Sequence, residues 1–514
     1  MELPKFVITD LRSQLTKNIE REFREEGYRS AILDPSKTKD WLRSSNKTDA
    51  IILSGGDWSV YAKGSPQPPK EVWTAKRPDG SLLPKLGICY GHHVLAWKHG
   101  GSVEARNAEY GKTIIELVEP DFPLFRGTEP EQQVWMNHGD SVTKLPEGWR
   151  ILARTRATGN IAAFCDPTGT QIGVQWHPES THSVNGRRML ANFAAEFGHS
   201  KDWNPGSMVS SIRDELRERF PSGNAIMPFS GGVDSSFVAY LAAGVLGLRL
   251  FGMTIDADNL RRYDLGDAKK HAHITGLQHV VINAHDKVGL FACTTDAETK
   301  RKAIFRNQIY VPPIVRLKDE KDARFWLQGT LAPDLIESGE TGGAVIKSHH
   351  NTGINLGIPE YSPLKDLFKY EVRALAKAEG LPESIWNRMP FPGPGLFLRV
   401  VGIPVTHELL ECVRDSNDIV EAILRRTPEV WDEISQLVVA YLGTPMVGQK
   451  GEGRVYRGSI GVRAVKTIDY MTAEGIYFPK DVWKEIEREL TKHPLVVHAA
   501  PYSTDKPPAT TEFE

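Results

Sequence analysis

The sequence predicts an α/β protein with two parallel-sheet α/β domains, followed by a smaller α+β domain. Three observations predict this. Short apolar runs alternate with helix-length amphipathic segments through most of the chain, the signature of parallel strands joined by helices. Two of those runs, Leu86 to Ile88 and Ala225 to Phe229, end in glycine-bearing turns directly before a helix. From about Val400 the alternation stops, and one long apolar-spaced helix precedes two strand-like segments and a last helix. A chain of 514 residues exceeds what one core holds, so several domains are expected.

Composition narrows the function classes. With 40% hydrophobic and 25% charged residues the chain reads as an ordinary soluble globular protein. A net charge of −2 supplies no basic field, so no nucleic-acid partner is expected. No run reaches membrane-spanning length, and Met1 to Asp10 has only a short apolar core between charges, so neither a membrane nor a secretory signal is expected. Cys89, Cys165, Cys293 and Cys412 are scattered without metal-ligand spacing. They argue for a reducing, cytoplasmic compartment and no disulfide frame.

Taken in order, Phe6 to Asp10 reads as a strand, Leu15 to Glu26 as a helix, and Ala50 to Gly56 as a strand ending in a glycine turn. Leu86-Gly87-Ile88-Cys89-Tyr90-Gly91 carries an apolar strand into a cysteine, and a helix follows through His93, Val94, Leu95 and Trp97. This is the pattern of a nucleophile elbow, in which a sharp strand-to-helix turn pushes the side chain out. A helix start lowers a thiol pKa, and the thiolate is the reactive form. Gly173 to Trp176 reads as a strand that delivers His177 and, two residues on, Glu179. Singly, a buried cysteine is a small apolar residue and His-Pro-Glu a surface turn. In this order they predict a nucleophile, its base and a carboxylate that orients the imidazole.

Phe197 to Gly206 breaks the pattern and reads as a linker, and Ile212 to Phe220 as a charged amphipathic helix. Next comes Ser230-Gly231-Gly232-Val233-Asp234-Ser235-Ser236, between the Ala225 strand and an apolar helix starting near Phe237. Two glycines allow a tight turn and a close backbone approach, and the amides of the loop and helix start point at an anion. No lysine follows the glycines, so this is not a Gly-x4-Gly-Lys-Ser loop. Leu248 to Asp256 and His279 to Ala284 read as further strands. Leu327 to Ser338 offers two carboxylates, Asp334 and Glu337, near a strand end. Ile346 to Asn351 places Lys347 beside His349 and His350, a solvated turn by default. In the last region a helix spans Leu409 to Leu424, strands Ser435 to Leu442 and Gly458 to Val465, and a helix Val482 to Leu490.

The Cys89 elbow and the His177–Glu179 segment, with Asp10 to Thr16 and Trp135 to Asp140, resemble the class I glutamine amidotransferases. The resemblance implies hydrolysis of glutamine to glutamate and ammonia. Cys89 would be the nucleophile, His177 the base and Glu179 its partner, with the amides of Gly55 and Tyr90 facing the oxyanion. The Ser230 to Ser236 loop resembles the pyrophosphate loop of ATP pyrophosphatases. Together with Lys347, Met389 to Leu396 and the Thr504 to Glu514 tail, it resembles the GMP synthetase family across nearly the whole chain. That implies an amidotransferase domain over 1–200, an ATP pyrophosphatase domain over 201–395, and a dimerisation domain over 396–514 whose tail closes on the nucleotide.

The implied reaction adenylates the C2 oxygen of xanthosine monophosphate (XMP) with release of pyrophosphate. Ammonia then displaces AMP to give GMP. A ring carbonyl is a poor electrophile until its oxygen becomes a leaving group, and a closed route keeps ammonia from being protonated in bulk water. By the resemblance, Ser230, Gly231, Gly232, Val233, Asp234, Ser235 and Ser236 hold the ATP phosphates and Lys347 neutralises them. Asp234 and Asp334 are candidates for Mg²⁺. Arg301, Lys506 and Glu512 would meet the nucleotide substrate. Taken alone, the basic segment around Arg301 also reads as a solvated helix face, and the tail as an extended terminus. The implied partners are small molecules (glutamine, ATP and XMP) and a second copy of the chain in a homodimer.

The chain departs from the family pattern at several places. Asp57 follows Gly55-Gly56 where proline is usual, and His93 replaces a substrate-contacting glutamine. Asp256-Ala257-Asp258-Asn259, Met389 and Glu452 also differ. These keep two alternatives open: a paralogue that aminates another purine-type nucleotide, and a non-catalytic nucleotide-sensing homologue.

Overall fold

The computed structural model describes residues 5–44, 48–201, 203–292, 294, 297–332, 334, 354–467, 473–506 and 509–513. The chain divides into two compact units, one up to Met208 and one from Val209 onward.

The first unit is built on a nine-stranded sheet. Its strands run in the order Ser30–Leu33, Phe6–Thr9, Ala50–Leu53, Lys85–Ile88, Gln171–Val174, Ile161–Cys165, Arg150–Thr155, Glu109–Leu117, Glu131–His138. The first five are parallel, and Phe6–Thr9 and Ala50–Leu53 are buried at every position. Continuous burial follows when both faces of a parallel sheet are covered. The other four strands join antiparallel, so the first sheet is mixed rather than wholly parallel. Glu131–His138 shows the reason in its residues: Gln132, Val134, Met136 and His138 are buried and their neighbours are not. Such a strand covers one face only. The helix Tyr90–Lys98 starts at the carboxyl end of Lys85–Ile88, which sets the candidate nucleophile at the rim of the sheet.

The helix Pro205–Arg219 begins inside the expected linker, and the second unit starts within it at Val209. A five-stranded sheet follows in the order Gln278–Asn283, Leu250–Asp256, Asn224–Pro228, Ala323–Leu327, Glu360–Tyr361. All its pairings are parallel. A further sheet holds Val400–Val401, the long hairpin Gln436–Lys450 and Gly453–Lys466, Glu474–Gly475 and Val496–Pro501. The two sheets share one apolar core, which runs from Ile226 and Met253 through Phe291 and Phe397 to Val439 and Ile460. That shared core is the physical reason why one compact unit carries both. Among the described residues no helix is long and apolar enough to cross a membrane.

Candidate functional site

Cys89 occupies the turn between the strand Lys85–Ile88 and the helix Tyr90–Lys98 with φ 52° and ψ −105°. A non-glycine residue at positive φ is strained and persists where the surroundings over-determine it. Here the two flanking glycines do so. A Cβ on Gly87 would stand 2.4 Å from the Gly91 carbonyl oxygen, and one on Gly91 would stand 2.2 Å from that of Leu53. The turn is pinned further by Cys89 N–H donating to Val174 O at 2.9 Å and Gly91 N–H donating to Ser54 O at 3.1 Å. The Cys89 thiol lies 3.7 Å from the Asn137 carbonyl.

His177 is 5% exposed and Glu179 1%. His177 Nδ1–H donates to Glu179 Oε1 at 2.7 Å, which turns the other ring nitrogen away from the carboxylate. Burial pushes the imidazole pKa down. The charges of Glu179 and a Cys89 thiolate, and hydrogen bonding to both, more than offset this and hold it well above the ordinary 6.5. The surroundings of His177 therefore favour its protonated form, between a carboxylate and a sulfur. Gly55 adjoins it: a Cβ there would meet His177 Cε1 at 3.1 Å. Tyr90 opens its helix, so its amide has no acceptor within that helix.

A pH prediction follows. A group whose folded pKa is raised adds stability that is fully present below its unfolded pKa and lost as pH rises through the folded value. Glu179→Gln removes one source of the raised value. It should destabilise the protein most below about pH 6.5 and progressively less toward alkaline pH, as read by thermal melts across pH. A loss of stability that is uniform across pH counts against the ion pair.

The departures fall into place. Asp57 is exposed, while Gly56 is required because a Cβ there would lie 2.6 Å from Leu11 O. His93 is 3% exposed, and its Nε2–H donates to Gln175 Oε1 at 2.7 Å. Burial pushes the His93 ring down to about 4, so it stays neutral.

In the second unit the loop Ser230 to Ser236 joins the strand Asn224–Pro228 to the helix Val233–Leu246. Gly231 has φ +68°, and a Cβ there would meet Ala268 Cα at 2.7 Å. Its carbonyl accepts from His271 Nδ1–H at 2.8 Å and from Arg388 Nη1 at 2.7 Å. Gly232 N–H donates to Ser230 Oγ at 3.2 Å, and Ser235 Oγ donates to Gly232 O at 3.2 Å. Ser236 N–H donates to Gly232 O at 2.9 Å. The amides of Val233, Asp234 and Ser235 precede the first intrahelical bond, so they are the ones able to face an anion. Asp234 Oδ2 is paired with Lys369, while Asp234 Oδ1 is buried without a hydrogen-bond partner among the described residues. Asp334 accepts from Leu331 N–H at 2.8 Å. Lys347, Glu337, His349 and His350 lie outside the described residues.

Arg301 does not stand where a nucleotide would meet it. It is fully buried, and its guanidinium donates to the carbonyls of Phe397, Val400, Thr294 and Ile403. A guanidinium taken from water must have its donors satisfied, and backbone carbonyls do this here. The solvated-face reading fails for the same reason.

The tail is seated on the last sheet. Lys506 exchanges backbone hydrogen bonds with Ala473, and Tyr502 packs edge-on against Phe513 at 4.9 Å. Glu512 is 7% exposed and accepts from Arg399 Nε and Nη2, both at 3.4 Å, and from Gln436 Nε2 at 3.2 Å. Met389 is half-buried against the core, and Glu452 is exposed in the turn of the long hairpin. Asp258 has φ 65° and is gripped by Arg414 Nη2 at 2.8 Å.

Lys369, Arg388, Arg399 and Gln436, which the sequence pattern did not single out, contact the candidate residues Asp234, Gly231 and Glu512. Arg399 closes the Met389 to Leu396 stretch and was within reach of that motif. The other three sit in ordinary helix, turn or strand context and carry no local signal.

Three family models match in order: Glutamine amidotransferase class-I over 7–197, NAD synthase over 206–308, and GMP synthase C terminal domain over 425–513. Over 521 residues the chain is 38% identical to the GMP synthase (glutamine-hydrolyzing) of Thermus thermophilus, covering 99% of this chain and 100% of that one. It is 36% identical over 522 residues to the protein of that name from Pyrobaculum aerophilum, covering 99% and 100%. It is 36% identical over 524 residues to that from Porphyromonas gingivalis, covering 100% of both chains. Likeness of this extent over full length leaves one conclusion: the chain belongs to the glutamine-hydrolysing GMP synthase family.

Proposed function

We infer that the protein aminates XMP to GMP, using ATP and ammonia that it takes from glutamine. The observation that carries this reading is the Ser230 to Ser236 loop, with its outward helix-start amides, in a chain that also presents Cys89 beside His177.

In the first unit the Cys89 thiolate attacks the glutamine amide carbon. The oxyanion forms against the amides of Gly55 and Tyr90. His177 passes its proton to the departing ammonia and then takes one from the water that cleaves the thioester. Glu179 keeps the ring oriented through both transfers. In the second unit the amides of Val233, Asp234 and Ser235, with the serine hydroxyls and Lys347, hold the ATP phosphates. The C2 oxygen of XMP attacks the α-phosphorus and pyrophosphate leaves. Ammonia then adds at C2 and AMP departs with the oxygen.

Asp234 Oδ1, buried without a hydrogen-bond partner among the described residues, fits a cation that the substrate's phosphates would also hold. Asp234, with Asp334 as a second candidate carboxylate, would hold Mg²⁺, which would supply positive charge against the leaving pyrophosphate. The family resemblance gives Lys506 the nucleotide phosphate and Glu512 the purine side, Glu512 acting from its seat on Arg399. Exposed Met446, Val447 and Tyr456 on the outer half of the long hairpin suit a homodimer contact. A reducing cytoplasm suits a reactive thiol, and Cys89, Cys165 and Cys412 are free. On this reading 1–200 serves nitrogen release, 201–395 activation and 396–514 dimerisation and nucleotide closure, the last two within one compact unit.

The test is a coupled assay with a panel of purine monophosphates, first with glutamine and then with ammonium. AMP, pyrophosphate and GMP should appear with either donor when XMP is supplied. AMP release with another purine and not with XMP moves the protein to a paralogous substrate. No AMP with any purine removes the reading.

A further inference from the structure

A continuous line of buried charge joins the phosphate loop to the tail. It begins at the Gly231 carbonyl, which Arg388 Nη1 grips at 2.7 Å. Arg388 Nη2 pairs with Asp264. Arg261 holds the same carboxylate through Nε at 3.1 Å and Nη2 at 3.0 Å. Burial opposes ionisation of Asp264, yet Arg261 and Arg388 more than offset it and hold the carboxyl below its ordinary range. The Arg261 guanidinium lies over the Phe391 ring at 4.3 Å, and the Arg399 guanidinium lies over the same ring at 4.8 Å. Arg399, fully buried, then holds Glu512 of the tail.

Two buried cations on one ring repel each other unless each keeps its own carboxylate. Asp264 neutralises Arg261, and Glu512 neutralises Arg399. Removing Glu512 leaves an uncompensated guanidinium on the same Phe391 ring as Arg261. Asp264 is also what orients Arg388 on the phosphate loop. Asp264 is 3% exposed and Arg261 6%, and Arg388 and Phe391 are half-buried.

We propose that seating of the tail through Glu512 is coupled to the geometry of the phosphate loop by Arg399, Phe391, Arg261, Asp264 and Arg388, so that ATP is held for cleavage only when the nucleotide side is closed. Phe391 and Arg388 are then positioning residues that touch neither reacting atom. The proposal rests on the assignment of Ser230 to Ser236 as the ATP loop and of the tail as the nucleotide closure.

The experiment is a double-mutant cycle on the full chain, with Phe391→Leu, Glu512→Gln and both together. It reads KM for ATP and KM for XMP separately in the ammonium-driven assay. Glutaminase turnover and thermal melting serve as controls for folding. Glu512→Gln alone should raise the ATP KM as well as the XMP KM. In the double variant the ATP effect should fall short of the product of the single effects by about five-fold or more. Phe391→Tyr, which keeps the ring between the guanidinium groups, should restore the ATP KM. An unchanged ATP KM in Glu512→Gln overturns the coupling, and that result stands even where Phe391→Leu fails to fold. Single effects that simply multiply overturn it too. Absence of AMP from the wild-type protein removes the underlying site assignment and the coupling with it.

Discussion

Cys89→Ala is expected to abolish glutamine-dependent GMP formation, by at least about a thousand-fold, and to leave ammonium-dependent formation near the wild-type rate. The size of the loss follows from the chemistry. His177 and an oxyanion pocket remain, but no atom is left to carry the acyl group, and members of such a unit fail together. The asymmetry follows from the two compact units. Alanine at Cys89 keeps the buried turn filled, and Cys89 belongs to the first unit. The check is GMP production with each donor, alongside glutamate release. Glutamate release that survives the substitution places the nucleophile elsewhere. Loss of both donor reactions shows that Cys89 matters to more than nitrogen supply.

The second large effect is expected from Gly231→Ala. The residue sits at φ +68°, and its new Cβ would lie 2.7 Å from Ala268 Cα and 3.0 Å from Arg388 Nη1. The left-handed conformation alone costs a residue with a side chain about 1–2 kcal/mol. The Ala268 contact is with backbone, which does not yield cheaply, so the loop must move. A displacement of about 1 Å in a group that positions substrate costs on the order of a hundred-fold in rate. AMP and pyrophosphate release should fall by about that factor with either nitrogen donor, while glutaminase turnover persists. Gly244, in the helix that follows the loop, supplies the contrast. A Cβ there meets nothing within 4 Å, so Gly244→Ala should leave both activities intact and stabilise the helix by about 0.5–1 kcal/mol. Equal losses from the two substitutions remove the argument from loop geometry.

Much of the fold was legible in local pattern. The Ala225 strand, the Ser230 loop and the helix after it stand where apolar runs and glycines put them. The elbow at Cys89 was also legible, because Gly87 and Gly91 are the residues that a close approach of backbone to backbone demands. The antiparallel half of the first sheet was not. Glu131–His138 alternates buried and less buried positions while Ile161–Cys165 is buried throughout, so no single period marks these strands and only their partners tell them from irregular chain. The run from Leu396 to Leu398 likewise gives no hint that a core crosses it and joins two sheets.

Arg301 marks the limit most clearly. A lysine- and arginine-rich segment reads as solvated or ligand-facing, and the residue is instead the internal tie for four carbonyls. Which way a long cation turns depends on the acceptors that distant chain brings to it. Arg399 shows the converse: an arginine at the end of a proline–glycine stretch that becomes the seat for a glutamate from the far end of the chain.

By itself the sequence determined the chemistry available to this protein: a thiol at a strand end, a histidine two residues before a carboxylate, and a glycine turn opening a helix. Those depend on residues adjacent in the chain, where bond geometry and helix-end amides act at short range. Only the tertiary structure decided which charges meet. Lys369 on Asp234, Arg388 on Gly231, and Arg399 on Glu512 join positions far apart in sequence. Such pairings arise because a buried charge must find a partner, and the partner is whatever packing of the core brings within reach.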